Sequence, residues 1–391
     1  MSDRSPAPRT AIRGRQSSGV HAHRVIFIDL ARAVAVAFML YGHSVDALLA
    51  HSYRAGAWFD VWTFQRGLTS SLFLLLSGFA FSIATVRHWP SHLYISRSVL
   101  NRARRFGLFI VLGYALHFPV PKFAELWTVN DGRWRAFLSV DVLQLIGATF
   151  IFIQLLVLVT RTRQALTVVA LVLACTIVMV TPGLWGVDWP ARMPLWASSY
   201  LEQDTGSLFP LFPWSAYILL GVGLGQLYAR WGASNLAAFA NKVLLGGGVG
   251  MILAGWALRP FAHDLFGRGP WTFIPPEVLL RMGTCLLILG GIAHGTGYIS
   301  TLPRVFGAVA QETLLIYFVH LCIVYGSIWG PGLYQLYGAT LGPLQVLGVV
   351  LVLVASMTAL AWQWNWLKHT SPKAARAISI AVLVLLALRL I

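Results

Sequence analysis

Residues 27–44 read FIDLARAVAVAFMLYGHS, an apolar run that nevertheless carries Asp29, Arg32 and His43. A membrane-spanning helix needs about 20 mainly apolar residues, and ionisable side chains inside a bilayer are costly. Eleven steps of about 100° bring His43 back to the face of Arg32, about 16 Å further along the helix axis. Asp29 lies one turn before Arg32, close enough to pair with it. Snorkelling at the helix end and an ordinary core histidine explain each residue singly, but the shared face favours a polar site inside a helix bundle.

The composition predicts an integral membrane protein. Of the 391 residues, 57% are hydrophobic and 11% are charged, whereas soluble domains carry about 25% charged residues. We predict an all-α, polytopic fold of about 10–11 transmembrane helices. The apolar segments fall at residues 25–49, 67–86, 106–120, 138–160, 164–181, 208–229, 243–260, 278–296, 306–328, 342–364 and 376–390.

The distribution of charge predicts the orientation. The net charge is +16, and most of the lysines and arginines fall in alternate loops, as the positive-inside rule predicts when the N-terminus is cytoplasmic. This explains the positive charge without nucleic-acid binding. Residues 1–22 are rich in Ser, Pro, Gly and Arg and predict a disordered basic cytoplasmic tail. Residues 23–391 are predicted to form one transmembrane domain in a cell membrane, either the plasma membrane or an inner membrane.

Several motifs resemble those of membrane-bound acyltransferases. The sequences IDLARAVAV…YGHS, SSLFLLLSGFAFS (residues 70–82) and ETLLIYFVHLCIV (residues 312–324) resemble motifs of the acyltransferase 3 family, in the same order. DVLQLIGATF (residues 141–150) and LFPLFPWSAYILLGVGLGQL (residues 208–227) are similar to the heparan-α-glucosaminide N-acetyltransferase branch. The resemblance implies transfer of an acyl group, most simply acetyl, from cytoplasmic acyl-CoA to a carbohydrate or glycolipid at the outer face. Such a reaction implies modification of a cell-envelope glycan.

The resemblance also implies roles for individual residues. A general base must have a pKa near neutrality, which suits histidine, and His43 matches the acyltransferase 3 pattern. The heparan-type branch instead has asparagine at this position and a histidine in the following outer loop, where His51 is the nearest candidate. The sequence therefore leaves His43 and His51 open as the base. Ala33 also departs from the usual glycine after the arginine.

Other residues are candidates for binding the donor and the acceptor. Arg32 and the cluster Arg102, Arg104 and Arg105 are cations that suit the phosphates of CoA, although the positive-inside rule alone explains the cluster. Arg32 is also a candidate catalytic residue, because its positive charge could instead stabilise negative charge that develops in the reaction. We predict that four side chains line the substrate cavity. Two come from the first motif and its helix, Asp29 and Asp46, and two come from the motif at residues 312–324, Tyr317 and His320.

Three further expectations concern structure. Asp46, one turn after His43, is expected either to orient this histidine or to be an ordinary interfacial acid. Arg281 is expected to pair with Glu277 at i, i+4, and the glycines of GVGLG (residues 221–225) are expected to permit close helix packing. No zinc, haem or P-loop signature is present, so we expect no metal.

Two other classes of function are compatible with the sequence. Intramembrane Arg and His residues also suit a proton-coupled secondary transporter. However, we find no internal repeat of the kind that marks many transporters. A non-catalytic scaffold that kept the fold is the third hypothesis.

Overall fold

A computed structural model describes residues 25–266, 273–299 and 301–388, excluding the side chain of His263. The predicted basic tail, residues 1–22, lies outside this described part. Within it the chain is all-α, and its extended pairing consists of two isolated bridges, Leu49 with Leu341 and Ser327 with Gly330. The predicted all-α membrane fold is therefore confirmed.

The described part contains seventeen α-helices. The first nine are α1 Ile26–Leu48, α2 Ala57–Val86, α3 Arg97–Leu116, α4 Asp131–Leu138, α5 Val142–Thr160, α6 Arg163–Leu184, α7 Leu195–Ser198, α8 Leu211–Leu227 and α9 Leu236–Phe239. The others are α10 Gly246–Leu258, α11 Ala262–Phe266, α12 Pro275–Thr296, α13 Arg304–Gln311, α14 Thr313–Tyr325, α15 Leu333–Tyr337, α16 Pro343–Thr370 and α17 Pro372–Leu388. π-Helical turns extend α8 through Tyr228–Gly232 and join α9 to α10 through Ala240–Leu245.

Eight helices of the described part are long and apolar enough to span a membrane. The bent pair α13–α14, whose axes differ by 73°, supplies a ninth span if it is counted as one. The predicted segments 106–120 and 376–390 correspond to α3 and α17, which fall outside this group. The four arginines in the first half of α3 leave it a short apolar stretch, and α17 has only 17 residues.

Close packing of α2 against α8 forms the centre of the bundle. A Cβ atom on Gly78 of α2 would lie 1.9 Å from the backbone oxygen of Ile218, and one on Gly221 of α8 would lie 2.0 Å from that of Leu75. Only glycine lets the two backbones approach this closely. The glycine-rich stretch of α8 therefore packs as the sequence predicts.

Helices α1 and α14 lie side by side and run in the same direction. Arg32 near the start of α1 contacts Thr313 at the start of α14, and His43 contacts Tyr325 at the end of α14. The two contacts are about three turns apart on each helix. We call the two ends of this helix pair the Arg32 end and the His43 end. Both predicted side chains of α1 thus face a neighbouring helix rather than lipid.

Candidate active site

At the Arg32 end, the guanidinium of Arg32 is held by α14. Its Nη2 donates a hydrogen bond of 2.7 Å to Oγ1 of Thr313, which in turn donates to the carbonyl of Ala310 at 3.0 Å. The negative charge of Asp29 attracts this guanidinium, and the positive charge of Arg105 on α3 repels it. Arg32 is therefore influenced by the charges of an acid and of a second cation, and it is only partly buried.

The break between α13 and α14 determines where Thr313 lies. Glu312 at the break is buried, with 5% of its surface exposed. Its carboxylate binds Lys368 of α16 at 2.6 Å and accepts a hydrogen bond of 3.1 Å from Asn365. A buried carboxylate needs such partners to offset its lost hydration. The contact with α16 thus fixes the start of α14 beside Arg32.

At the His43 end, two imidazoles lie together. The ring of His43 on α1 is 5.3 Å, centre to centre, from the ring of His320 on α14. Nδ1 of His43 is 3.2 Å from the hydroxyl of Tyr325, which also donates to the backbone oxygen of His43 at 3.5 Å. We call His43 and His320 the histidine pair. The structure thus brings two of the predicted site residues into contact.

A hydrogen bond assigns the proton of His320, one member of the histidine pair. Nδ1 of His320 lies 2.8 Å from the carbonyl of Ile316. Because a carbonyl only accepts, Nδ1 carries the proton and Nε2 has a lone pair. That Nε2 is buried without a hydrogen-bond partner in the described part of the chain. The hydroxyl of Tyr325 has one proton, which it can donate to the backbone oxygen of His43. In that arrangement Nδ1 of His43 donates to the oxygen of Tyr325. Nε2 of His43 then has a lone pair and can act as a base, like Nε2 of His320.

Asp141 is a site residue that the sequence reasoning did not select. It caps α5 by accepting from the backbone N–H of Val142 at 2.7 Å. Its Oδ2 also lies 3.4 Å from Nε2 of His117 and 3.4 Å from the hydroxyl of Tyr317. Tyr317 is one turn before His320, and their rings are 5.7 Å apart. The position of Asp141 at the start of the DVLQ motif was the available signal.

Asp46 pairs with a cation at the His43 end. Its carboxylate contacts Nε of Arg66 on α2, and its backbone oxygen accepts from Arg54 at 2.9 Å. The hydroxyl that contacts Nδ1 of His43 belongs to Tyr325 instead. Asp46 is therefore held by two arginines at this end of α1.

The remaining candidates lie around the two ends. His51 is exposed in a 3₁₀ turn directly after α1. Arg102 donates a hydrogen bond of 2.7 Å to Thr85 and lies over the ring of Phe81 at 5.2 Å, so it also packs against α2. Arg104 and Arg105 are exposed.

The predicted pair of Arg281 with Glu277 is wrong. Glu277 binds Arg259 at 2.7 Å, and Arg281 lies against Gly67 of α2, where an added Cβ would be 3.6 Å from its Cζ. The i, i+4 spacing made the pair geometrically feasible but did not reveal the competing arginine.

The family of the chain follows from a comparison with models of protein families. A family model described as heparan-alpha-glucosaminide N-acetyltransferase, catalytic, matches residues 24–254, more than half of the chain. No curated protein matches the chain. The matched range includes α1 and Asp141, and it ends before α14, which carries His320.

Proposed function

This chain belongs to the heparan-alpha-glucosaminide N-acetyltransferase family, and from that membership we propose that it transfers acetyl from cytoplasmic acetyl-CoA to a carbohydrate or glycolipid at the outer face. The observation that carries the proposal is the arrangement of α1 and α14. Their shared interface has a cation at one end and the histidine pair at the other. These are the groups that an anionic donor and a proton-losing acceptor require.

The Arg32 end suits the phosphates of the donor. Arg32 is oriented by Thr313, and the charge of Arg105 reaches it. Two cations close together repel each other until an anion lies between them, so a bound phosphate relieves the repulsion. Arg102 and Arg104 on the same helix add positive charge at the entrance. The thioester of the donor then has to extend about 16 Å along α1 to reach His43.

The histidine pair suits the chemical step. In the proposed reaction, Nε2 of His43 takes the proton from the hydroxyl or amine of the acceptor while Tyr325 holds Nδ1. The acceptor oxygen or nitrogen forms a bond to the acetyl carbonyl carbon, and the bond from that carbon to sulfur breaks. The CoA thiolate leaves and receives the proton from the imidazolium. Histidine can do both because it gains and loses a proton near neutral pH.

The proposal is tested by binding and by product analysis. The purified protein in detergent should gain thermal stability with acetyl-CoA, because a ligand that binds the folded state stabilises it. With acetyl-CoA and an oligosaccharide ending in an α-linked glucosaminide, mass spectrometry should detect a product heavier by one acetyl group. A glycolipid extract serves as the second acceptor. The absence of both a thermal shift and an acetylated product at saturating acetyl-CoA would refute the proposal.

A further inference from the structure

Asp141 makes contacts beyond those that helix capping requires. Capping of α5 uses Oδ1 and the N–H of Val142, and Asn or Ser caps a helix about as well as Asp. Capping does not explain why Oδ2 is shared by Tyr317 and His117. These two partners come from α14 and from the residue after α3. The carboxylate thus joins three helices beside the histidine pair, although it is buried, with 9% of its surface exposed.

The hydrogen bonds favour the ionised form of Asp141. A carboxylate that accepts from a backbone N–H, a hydroxyl and an imidazole is stabilised as the anion. Its charge attracts the imidazolium form of both His43 and His320. The charge of Asp46, one turn after His43, is offset by direct contact with Arg66. Asp141 is therefore the acid positioned to act on the histidine pair.

We propose, as an inference that rests on the proposed function, that Asp141 is a positioning residue whose negative charge stabilises the imidazolium formed when the histidine pair takes the acceptor's proton. The imidazolium exists only after proton transfer, so this stabilisation is stronger in the transition state than in the resting enzyme, which raises kcat. The carboxylate of Asp141 acts on the histidine pair through its electrostatic field and through its hydrogen bond with Tyr317, which lies beside His320. It does not exchange a proton itself.

Other charged and titratable groups lie at the same end as the histidine pair and have to be unchanged in the test. They are Arg54 and Asp46 near the end of α1, Arg66 on α2, His117 after α3, and Tyr317 and Tyr325 on α14. The variant Asp141→Asn changes none of them. Its single amide oxygen keeps the cap on Val142. Its NH2 group takes the place of Oδ2, so the hydroxyl of Tyr317 accepts there instead of donating. The negative charge is removed.

The test uses two independent readouts on the full-length protein. The first is a histidine-selective NMR titration in detergent, and Asp141→Asn should lower the pH midpoint at which His43 and His320 take up a proton by roughly half to one pH unit. The second is the pH profile of acetyl transfer from acetyl-CoA to the glucosaminide. Here kcat should fall about 10- to 100-fold, with the acid limb moved to lower pH and the KM for acetyl-CoA unchanged.

The controls separate a charge effect from a structural one. Asp141→Glu keeps the charge and should restore the midpoint, whereas Asp131→Asn makes the same substitution at the exposed first residue of α4 and should change neither readout. If Asp141→Asn does not give folded protein, Asp141→Ser replaces it, since serine also caps. Unchanged midpoints in the charge-removed variant overturn the proposal, even if activity is lost. The NMR titration needs no acceptor, so it can be carried out whether or not the protein is active. A wild-type protein without transferase activity would overturn the proposed function. The effect of Asp141 on the histidine pair would still be decided by the titration.

Discussion

The two ends of the α1–α14 pair are built from different chemistry. At the Arg32 end a guanidinium is held by Thr313, and the buried Glu312 is paired with Lys368 of α16. At the His43 end two imidazoles face each other, and one of them has a buried nitrogen without a partner in the described residues. Fixed charges suit binding of an ionic ligand, and groups that change charge suit proton transfer. The difference assigns binding to one end and chemistry to the other.

Removal of the imidazole of His43 should have the largest effect on activity, and it tests the role in catalysis that we assign to the His43 end. We expect His43→Gln to lower kcat roughly 10²- to 10⁴-fold, because the acceptor loses its general base. The thermal shift with acetyl-CoA should remain, since the Arg32 end is intact. Acetyl transfer and thermal unfolding measure the two properties separately.

Two further variants show whether the loss of activity is specific to His43. His369→Gln, at the exposed end of α16, should retain full activity as a matched control. His51→Gln tests the other candidate base, and a larger loss of kcat in this variant than in His43→Gln would contradict the role given to His43.

Removal of the guanidinium of Arg32 should have the second largest effect, and it tests the role in donor binding that we assign to the Arg32 end. Arg32→Gln should raise the KM for acetyl-CoA about 10- to 100-fold, because a charge-assisted contact with the donor phosphates is lost. It should also reduce the thermal shift at ligand concentrations that saturate the wild type. Arg376→Gln, an exposed arginine at the start of α17, is the control. A wild-type KM in Arg32→Gln together with a low kcat would place Arg32 in the chemical step instead.

Loss of the cation from the Glu312 pair should have the smallest effect. Lys368→Met leaves a buried carboxylate without its cation and should lower the free energy of unfolding by about 1–3 kcal/mol. The exposure of Lys368 keeps the value below that of a fully buried pair. Because Thr313 follows Glu312 directly, acetyl-CoA should also bind more weakly. Chemical or thermal denaturation measures the first effect, and Lys373→Met is the control. Equal stability of the two variants would show that the pair does not fix the helix break.

Local patterns predicted the helices and part of the site. The apolar runs gave the spans, and the 3.6-residue period placed Arg32 and His43 on one face, where both now contact α14. Such patterns hold because they depend on neighbours within one helix. They also located α3 and α17, although these two helices do not combine the length and apolar character of the eight candidate spans.

Long-range partners could not be read from the sequence. Tyr325 is 282 positions from His43, and Tyr317 is 176 positions from Asp141. No periodicity links residues so far apart, because tertiary packing decides which helices meet. The pairing of Glu277 could not be read from the sequence either. Its partner is Arg259, directly after α10, rather than Arg281, four residues along its own helix. The histidine pair was found as two separate motifs, and the structure was needed to join them.

Sidedness tests the central account most directly. In sealed proteoliposomes with one orientation of the protein, established by protease access to the C-terminal end, acetyl-CoA is supplied only to the face at the Arg32 end, with acceptor glycan on both faces. The account predicts acetylated glycan on the opposite face, at the His43 end. Acetylated glycan only on the face that received acetyl-CoA would contradict it.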